Sequence, residues 1–361
     1  MNKVCKLCTK DHNEDVGSHI FTESIIRTAI NQEGEIRRSD KEIIFQAGRN
    51  KVGLKYFGSS VLPEKLESII GETISDDLIE ANKDNNPFIN KDLVCRKCER
   101  RFNPVETKFF NNIYSKIHIP ASESFKKHKC NFITFEKEYL CAMLFCIINV
   151  WRASAAIYNS WKLTLKDEQY LGKYLNKVLT LDIETTLVNA VKHEKEIEQF
   201  NFVLNYFIQE GERLSENIVI IDNSYQPYFI LMNRLSIIFD FKELKSINNI
   251  SILESIINKN IDCIINAPNT FNIGICSDED RIKLIKRIGE REMDKIISDS
   301  DENFFEEHKK HLGIYPSIAA IKLYRYKIIE YIISVRLDID FSIMDEIMIE
   351  AVKKIKSDVT R

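Results

Sequence analysis

Cys95-Arg96-Lys97-Cys98-Glu99-Arg100-Arg101-Phe102-Asn103-Pro104-Val105-Glu106-Thr107-Lys108-Phe109 joins a CxxC pair to an amphipathic stretch. Phe102, Val105 and Phe109 recur at spacings of three and four, so they share one helix face. Glu99, Asn103 and Glu106 keep a similar period and can share another. Proline is accepted in a first helical turn and resisted deeper in, so Pro104 predicts a helix opening near Asn103. A second pair, Cys5-Lys6-Leu7-Cys8, is separated from the first by 86 residues. Two such pairs complete a closed tetrahedral four-cysteine site for Zn2+, which supports folding rather than catalysis. Zinc ribbons usually leave about 15–20 residues between pairs. Here the intervening chain must loop out and return, which costs little extra entropy. The alternative is two unrelated pairs, one of them redox-active.

The rest of the chain sets the bounds. It has 361 residues, 29% charged and 44% hydrophobic, which excludes a disordered chain and is long enough for two domains. Only 11 Gly and 7 Pro favour long helices over a turn-rich β-sandwich. Net charge is −3, too small to name a partner. Residues 1–129 carry 22 Lys and Arg against 19 Asp and Glu, and the remainder 29 against 35. Nucleic-acid affinity would therefore need a local basic patch. The polar N-terminus carries no secretory pattern, and the longest apolar run, Tyr139–Ile148, is ten residues against the roughly 20 of a membrane span. A soluble, cytoplasmic protein without membrane contact is expected, and paired Cys in a reducing compartment suggest metal.

Three zones follow. Residues 1–120 hold both CxxC pairs. Within them 27–90 read as an insertion, with strands at Lys41–Phe45 and Val52–Phe57 and short helices at Pro63–Ile70 and Ser75–Asn82. Residues 132–212 read as helices near Phe135–Ser160, Lys166–Leu179 and Ile183–Gln209, the first apolar enough to be the central buried helix. Residues 217–275 read as a small antiparallel sheet, with strands at Asn217–Asp222, Tyr228–Asn233, Ser236–Phe241 and Ile261–Ile265. From 278 the chain returns to helix. Ser277 and Asp280 form a capping box, and Gly313 and Pro316 part the last two helices.

The order CxxC, then His19 eleven residues on, then CxxC running into a helix resembles the zinc-stapled HNH nucleases, whose fold is a treble clef or ββα-metal. The similarity is greatest to a branch with a Ser-His-Ile strand, here Ser18-His19-Ile20, and a Cys-x-x-Cys-Glu pair, here Cys95 to Glu99. That branch continues into an aromatic helix, here Phe102, Glu106 and Phe109, and later carries Trp-Arg-Ala-Ser, here Trp151 to Ser154. The resemblance implies an α+β chain, with a treble-clef domain over 1–120 and a mostly helical partner, sensor or regulatory domain over 121–361. It implies hydrolysis of nucleic-acid phosphodiester bonds, DNA ahead of RNA, by an effector of a bacterial defence or toxin system. His19 would be the general base. Mg2+ or Mn2+, separate from the structural Zn2+, would hold the scissile phosphate through Glu106 and Asn103. Ser18 departs from the Asp or second His that many HNH enzymes carry there. Glu99 replaces the usual Asn, which points to bracing the hairpin turn, and the helix lacks a His in its first two turns. These departures support the alternative, a non-catalytic zinc-finger module binding nucleic acid or a partner protein.

Other residues complete the reading. Arg96, Lys97, Arg100 and Arg101 form a basic cluster suited to phosphate contact, which Arg37, Arg38, Arg49, Lys51 and Lys55 could extend. Asp11-His12 mimics an Asp-His pair but is expected in the knuckle turn. His308 and His311 are expected on an exposed helix. Cys141, Cys146, Cys263 and Cys276 are expected in the core. Arg152, on a buried helix, demands an acidic or phosphate partner that the sequence does not name. The helical zone could also recruit a partner protein or a second copy of the chain.

Overall fold

A computed structural model describes residues 3–12, 17–30, 43–47, 52–57, 86–117, 132–208, 219–222, 227–241 and 270–335. Strands β1 (Lys3–Val4) and β2 (Asp11–His12) form a small hairpin. Strand β3 (Ser18–His19) leads into helix α1 (Glu23–Ile30). Strands β4 (Ile43–Ala47) and β5 (Val52–Phe57) pair with each other, and β6 (Ile89–Asn90) returns to pair with β3. Helix α2 (Arg96–Phe109) follows. The two expected insertion helices and Ile261–Ile265 lie outside the described residues, as does the 120/121 boundary.

Helix α2 opens at Arg96 with Cys95 as its N-cap residue, not at Asn103, and Pro104 sits inside it. Proline there removes one donor, that for the carbonyl of Arg100. The buried face of Cys98, Phe102, Val105 and Phe109 outweighs that loss. Asp11-His12 is also corrected: it is the return strand of the knuckle hairpin rather than its turn.

The chain then runs β7 (Phe132–Glu136), α3 (Tyr139–Ala155), α4 (Leu165–Val178), α5 (Ile183–Lys192), β8 (Asn201–Phe207), β9 (Val219–Asp222), β10 (Tyr228–Met232), β11 (Leu235–Asp240), β12 (Thr270–Cys276), α6 (Asp278–Leu312) and α7 (Ile318–Val335). The protein is α+β, but the sheet is larger than the expected small antiparallel one. Six strands lie in the order β7-β12-β8-β11-β10-β9, and β12 runs parallel to β8. Strand β8 lies in the stretch expected to be one helix through Gln209. Six of the eight residues of Phe200–Phe207 are apolar and buried, and in such a run a helical spacing is indistinguishable from a strand buried on both faces. The structure resolves it by alternation. Phe202, Leu204 and Tyr206 join the core that contains α3, while Val203 and Phe207 join a second cluster with Leu284 and Ile288 of α6. The sheet is thus covered on both faces.

Helix α3 is buried on every side from Cys141 to Ala155. Phe145 stacks on Phe109 of α2 with ring centroids 3.6 Å apart, and one continuous core runs from Cys5 to Ile275. Cys141, Cys146 and Cys276 are buried as expected. The Ser277–Asp280 capping box and the left-handed Gly313 that ends α6 are also present. His308 is corrected. It is buried, and its Nδ1 donates to the carbonyl of Ile314 at 2.8 Å, so it fastens the α6–α7 turn instead of facing solvent. Among the described residues no helix is long and apolar enough to cross a membrane.

Gly172 of α4 marks the closest approach to α3. A Cβ there would lie 2.8 Å from Nε1 of the buried Trp151 ring. Gly172→Ala should lower unfolding free energy by about 1–3 kcal/mol, because a rigid indole in a packed core has little room to yield. Urea denaturation monitored by Trp fluorescence measures this.

Candidate metal centre and histidine cluster

The knuckle hairpin carries the first sulfurs. Thr9 donates its N–H to the carbonyl of Cys5 at 2.8 Å, and Thr9 itself adopts φ 59°, closing a tight turn. The N–H of Cys8 points at Cys5 Sγ at 3.5 Å. The second pair opens α2, where the N–H groups of Cys98 and Glu99 both reach the carbonyl of Cys95 at 3.0 Å. The N–H of Lys6 joins the two loops by donating to the carbonyl of Leu93 at 3.0 Å.

The sulfurs of Cys5, Cys8, Cys95 and Cys98 all lie within 4.8 Å of one another, and those of Cys8 and Cys95 are 3.9 Å apart. A tetrahedral zinc with bonds near 2.3 Å requires sulfurs about 3.8 Å apart, so the set fits that ion. A hydrogen bond from Cys98 favours the thiolate of Cys5 and pulls it down to about 4, while the same bond and burial hold the Cys98 proton well above its ordinary range. Among the described residues no other group of three His, Cys, Asp or Glu side chains converges this way.

Next to the knuckle lies a buried polar network. Arg152 of α3 is fully buried. Its Nη1 donates to Glu106 Oε1 at 2.7 Å and its Nη2 approaches Glu99 Oε1 at 3.4 Å. The guanidinium also lies over the Phe102 ring, 4.0 Å from its centroid. Glu99 accepts a short hydrogen bond from Ser18 Oγ, and Glu106 accepts one from Thr22 Oγ1 at 2.9 Å. Asn149 of α3 accepts from the N–H of Thr22 at 3.0 Å. His19 lies between Ser18 and Thr22, about one quarter exposed, with Nε2 3.3 Å from Glu23 Oε1.

The expected site residues therefore separate. Glu99 and Glu106 are brought to one network through Arg152, and His19 stands beside it, next to Ser18, which donates to Glu99, with Glu23 as its own partner. Both carboxylates are engaged by Arg152, and Asn103, on the same helical period, is exposed. Arg96, Lys97 and Arg100 are exposed on the first turn of α2. Arg101 is occupied within the protein: its Nε donates to the carbonyl of Leu179 at 2.8 Å and its Nη2 to that of Asn176 at 2.6 Å, capping α4. Ser18, Thr22, Glu23 and Asn149 are not singled out as site residues by the sequence. The only local signal is an Asn and an Arg within an apolar helix. Comparison with protein-family models, curated proteins and solved structures finds no match.

The cysteine geometry predicts a single Zn2+ per chain. Cys95→Ser or strong chelation should remove it and cost several kcal/mol of stability. Protons compete for the sulfurs, so the ion should be held at neutral pH and released as pH falls. Elemental analysis with thermal melts across pH checks this.

Proposed function

We propose that the chain is a metal-assisted, HNH-like nuclease acting on phosphodiester bonds of nucleic acid, with a structural zinc fixing the module. The observation that carries this is the His19–Glu23 pair: a partly exposed imidazole 3.3 Å from a carboxylate, on a strand tied to the helix that follows the second CxxC. A carboxylate beside an imidazole fixes its tautomer and supports proton abstraction from water. Mg2+ or Mn2+ would supply Lewis-acid stabilisation of the phosphate. The exposed Arg96, Lys97 and Arg100 support contact with the phosphate backbone. The residues on which a catalytic cation would rest are the accessible edges of Glu99 and Glu106, with side chains 16% and 13% exposed, and Asn103 beside them.

A second reading is favoured by one specific observation. Arg152 engages both carboxylates, and among the described residues the sulfur cluster is the sole convergence of three candidate ligands. A zinc-braced binding module for nucleic acid or a partner protein needs no more than that.

Incubation of the zinc-loaded protein with supercoiled DNA, single-stranded DNA and RNA, with Mg2+ or Mn2+, separates the two. The nuclease reading expects cation-dependent cleavage that His19→Ala reduces about 100-fold or more, within the range that a general base contributes. Equal inertness of both proteins on every substrate, with gel-shift binding retained, establishes the binding module instead.

A further inference from the structure

The five residues Ser18–Thr22 form a turn anchored at both ends. Ser18 is fully buried and donates to Glu99. Thr22, also buried, donates its hydroxyl to Glu106 at 2.9 Å and its N–H to Asn149 Oδ1 at 3.0 Å. The two anchoring carboxylates stand seven residues apart on α2, two helical turns, and one guanidinium touches both of them. His19 is the residue of this turn that faces outward, and Glu23, its partner, is the first residue of the helix that Thr22 starts.

We infer that Arg152 is the positioning residue of His19: it holds Glu99 and Glu106 in place, and these hold both ends of the turn that aims the imidazole. The inference rests on the reading of His19 as the working group. A simpler role, neutralising two acids in the core, does not require both acids to be spent on the same short turn. A planar fork can meet two carboxylates at once, whereas a lysine ammonium is a single point of charge on a flexible stem. Arg152 Nε is itself buried with no partner among the described residues. The side chain is thus held by its two terminal nitrogens and by Phe102, which fixes the plane from which the carboxylates are addressed.

The test uses the full zinc-loaded chain labelled at its 7 histidine rings. The His19 ring signal is assigned by its loss in His19→Gln. Arg152→Lys and Glu106→Gln should each shift or broaden that signal, with zinc content unchanged and the signals of His193 and His308 in place. Arg325→Gln, which removes the ion pair of Arg325 with Asp301 between α7 and α6, should leave the His19 signal alone. If cleavage is present, both variants at the network should lose about 100-fold in kcat with KM little changed, the cost of a small misplacement of a catalytic group. A His19 signal identical to wild type in both network variants overturns the inference. Where Arg152→Lys fails to fold, Arg152→Gln, which keeps a side-chain donor but removes the charge, takes its place beside Glu106→Gln. A wild-type protein that cleaves nothing but whose His19 signal moves in the variants sustains the positioning role and removes the hydrolase reading. Cleavage that persists undiminished with an unmoved signal does the reverse.

Discussion

A guanidinium with no exposed surface has to be paired where it lies, because desolvating a lone charge costs far more than any single contact returns. Arg152 imposes that condition on the rest of the protein. Helix α3 is otherwise a nearly continuous apolar rod, and apolar packing alone defines a single setting less sharply than it supplies stability. The polar exceptions along the helix sharpen that setting. Asn149 meets Thr22 at the start of α1, Arg152 meets Glu99 and Glu106 on α2, and Ser154 donates to Glu168 of α4 while accepting from the N–H of Leu163. Each match fixes α3 against a different element. The register of the central helix, and with it the seating of the knuckle module on the core, follows from three polar side chains rather than from apolar packing alone.

The sulfur cluster acts on the same helix from its end. Cys95 and Cys98 fix the first turn of α2, and Glu99, between that turn and Arg152, belongs to both constraints. Lys6 strengthens the join, since its Nζ donates to the carbonyl of Ala155, the last residue of α3, at 2.8 Å. A long excursion between the two CxxC pairs is tolerable for this reason. Loop closure grows only logarithmically with length, by about 0.6 kcal/mol per doubling, and metal ligation, ion pairing and apolar burial all oppose it here.

Legibility from sequence follows the range of the interaction. The CxxC pairs, the buried character of Leu140–Val150, the Ser277–Asp280 box and the left-handed Gly313 are all settled by neighbours within a few residues, and each can be read directly. Strand β8 cannot. Its partners β11 and β12 come later in the chain, and its own residues satisfy a helical and a strand pattern alike. His308 misleads because its lysine and glutamate neighbours describe the helix surface, while its carbonyl partner lies past the helix end. Arg152 can be recognised as a problem without its solution, since Glu106 is 46 residues away and nothing local marks it. Thr22 is silent for a related reason: a small hydroxyl has no pattern of its own until a carboxylate is brought to it, and Ser18, legible in its motif, gives no sign of its partner Glu99.

Charge is unevenly divided between His19 and the elements beside it. Glu23 lies 3.3 Å from His19, whereas Glu99 and Glu106 face Arg152, and among the described residues these side chains do not converge on one point as the sulfurs do. A phosphodiester approaching these carboxylates directly would meet repulsion of about 4 kcal/mol for each unit charge at 4 Å in a partly screened setting. The positive groups able to attract it, Arg96, Lys97 and Arg100, stand outside on the first turn of α2, and Arg152 is too deep to meet it. On the nuclease reading proposed above, the basic margin would receive the phosphate backbone, and a divalent ion would have to rest on the accessible carboxylate edges.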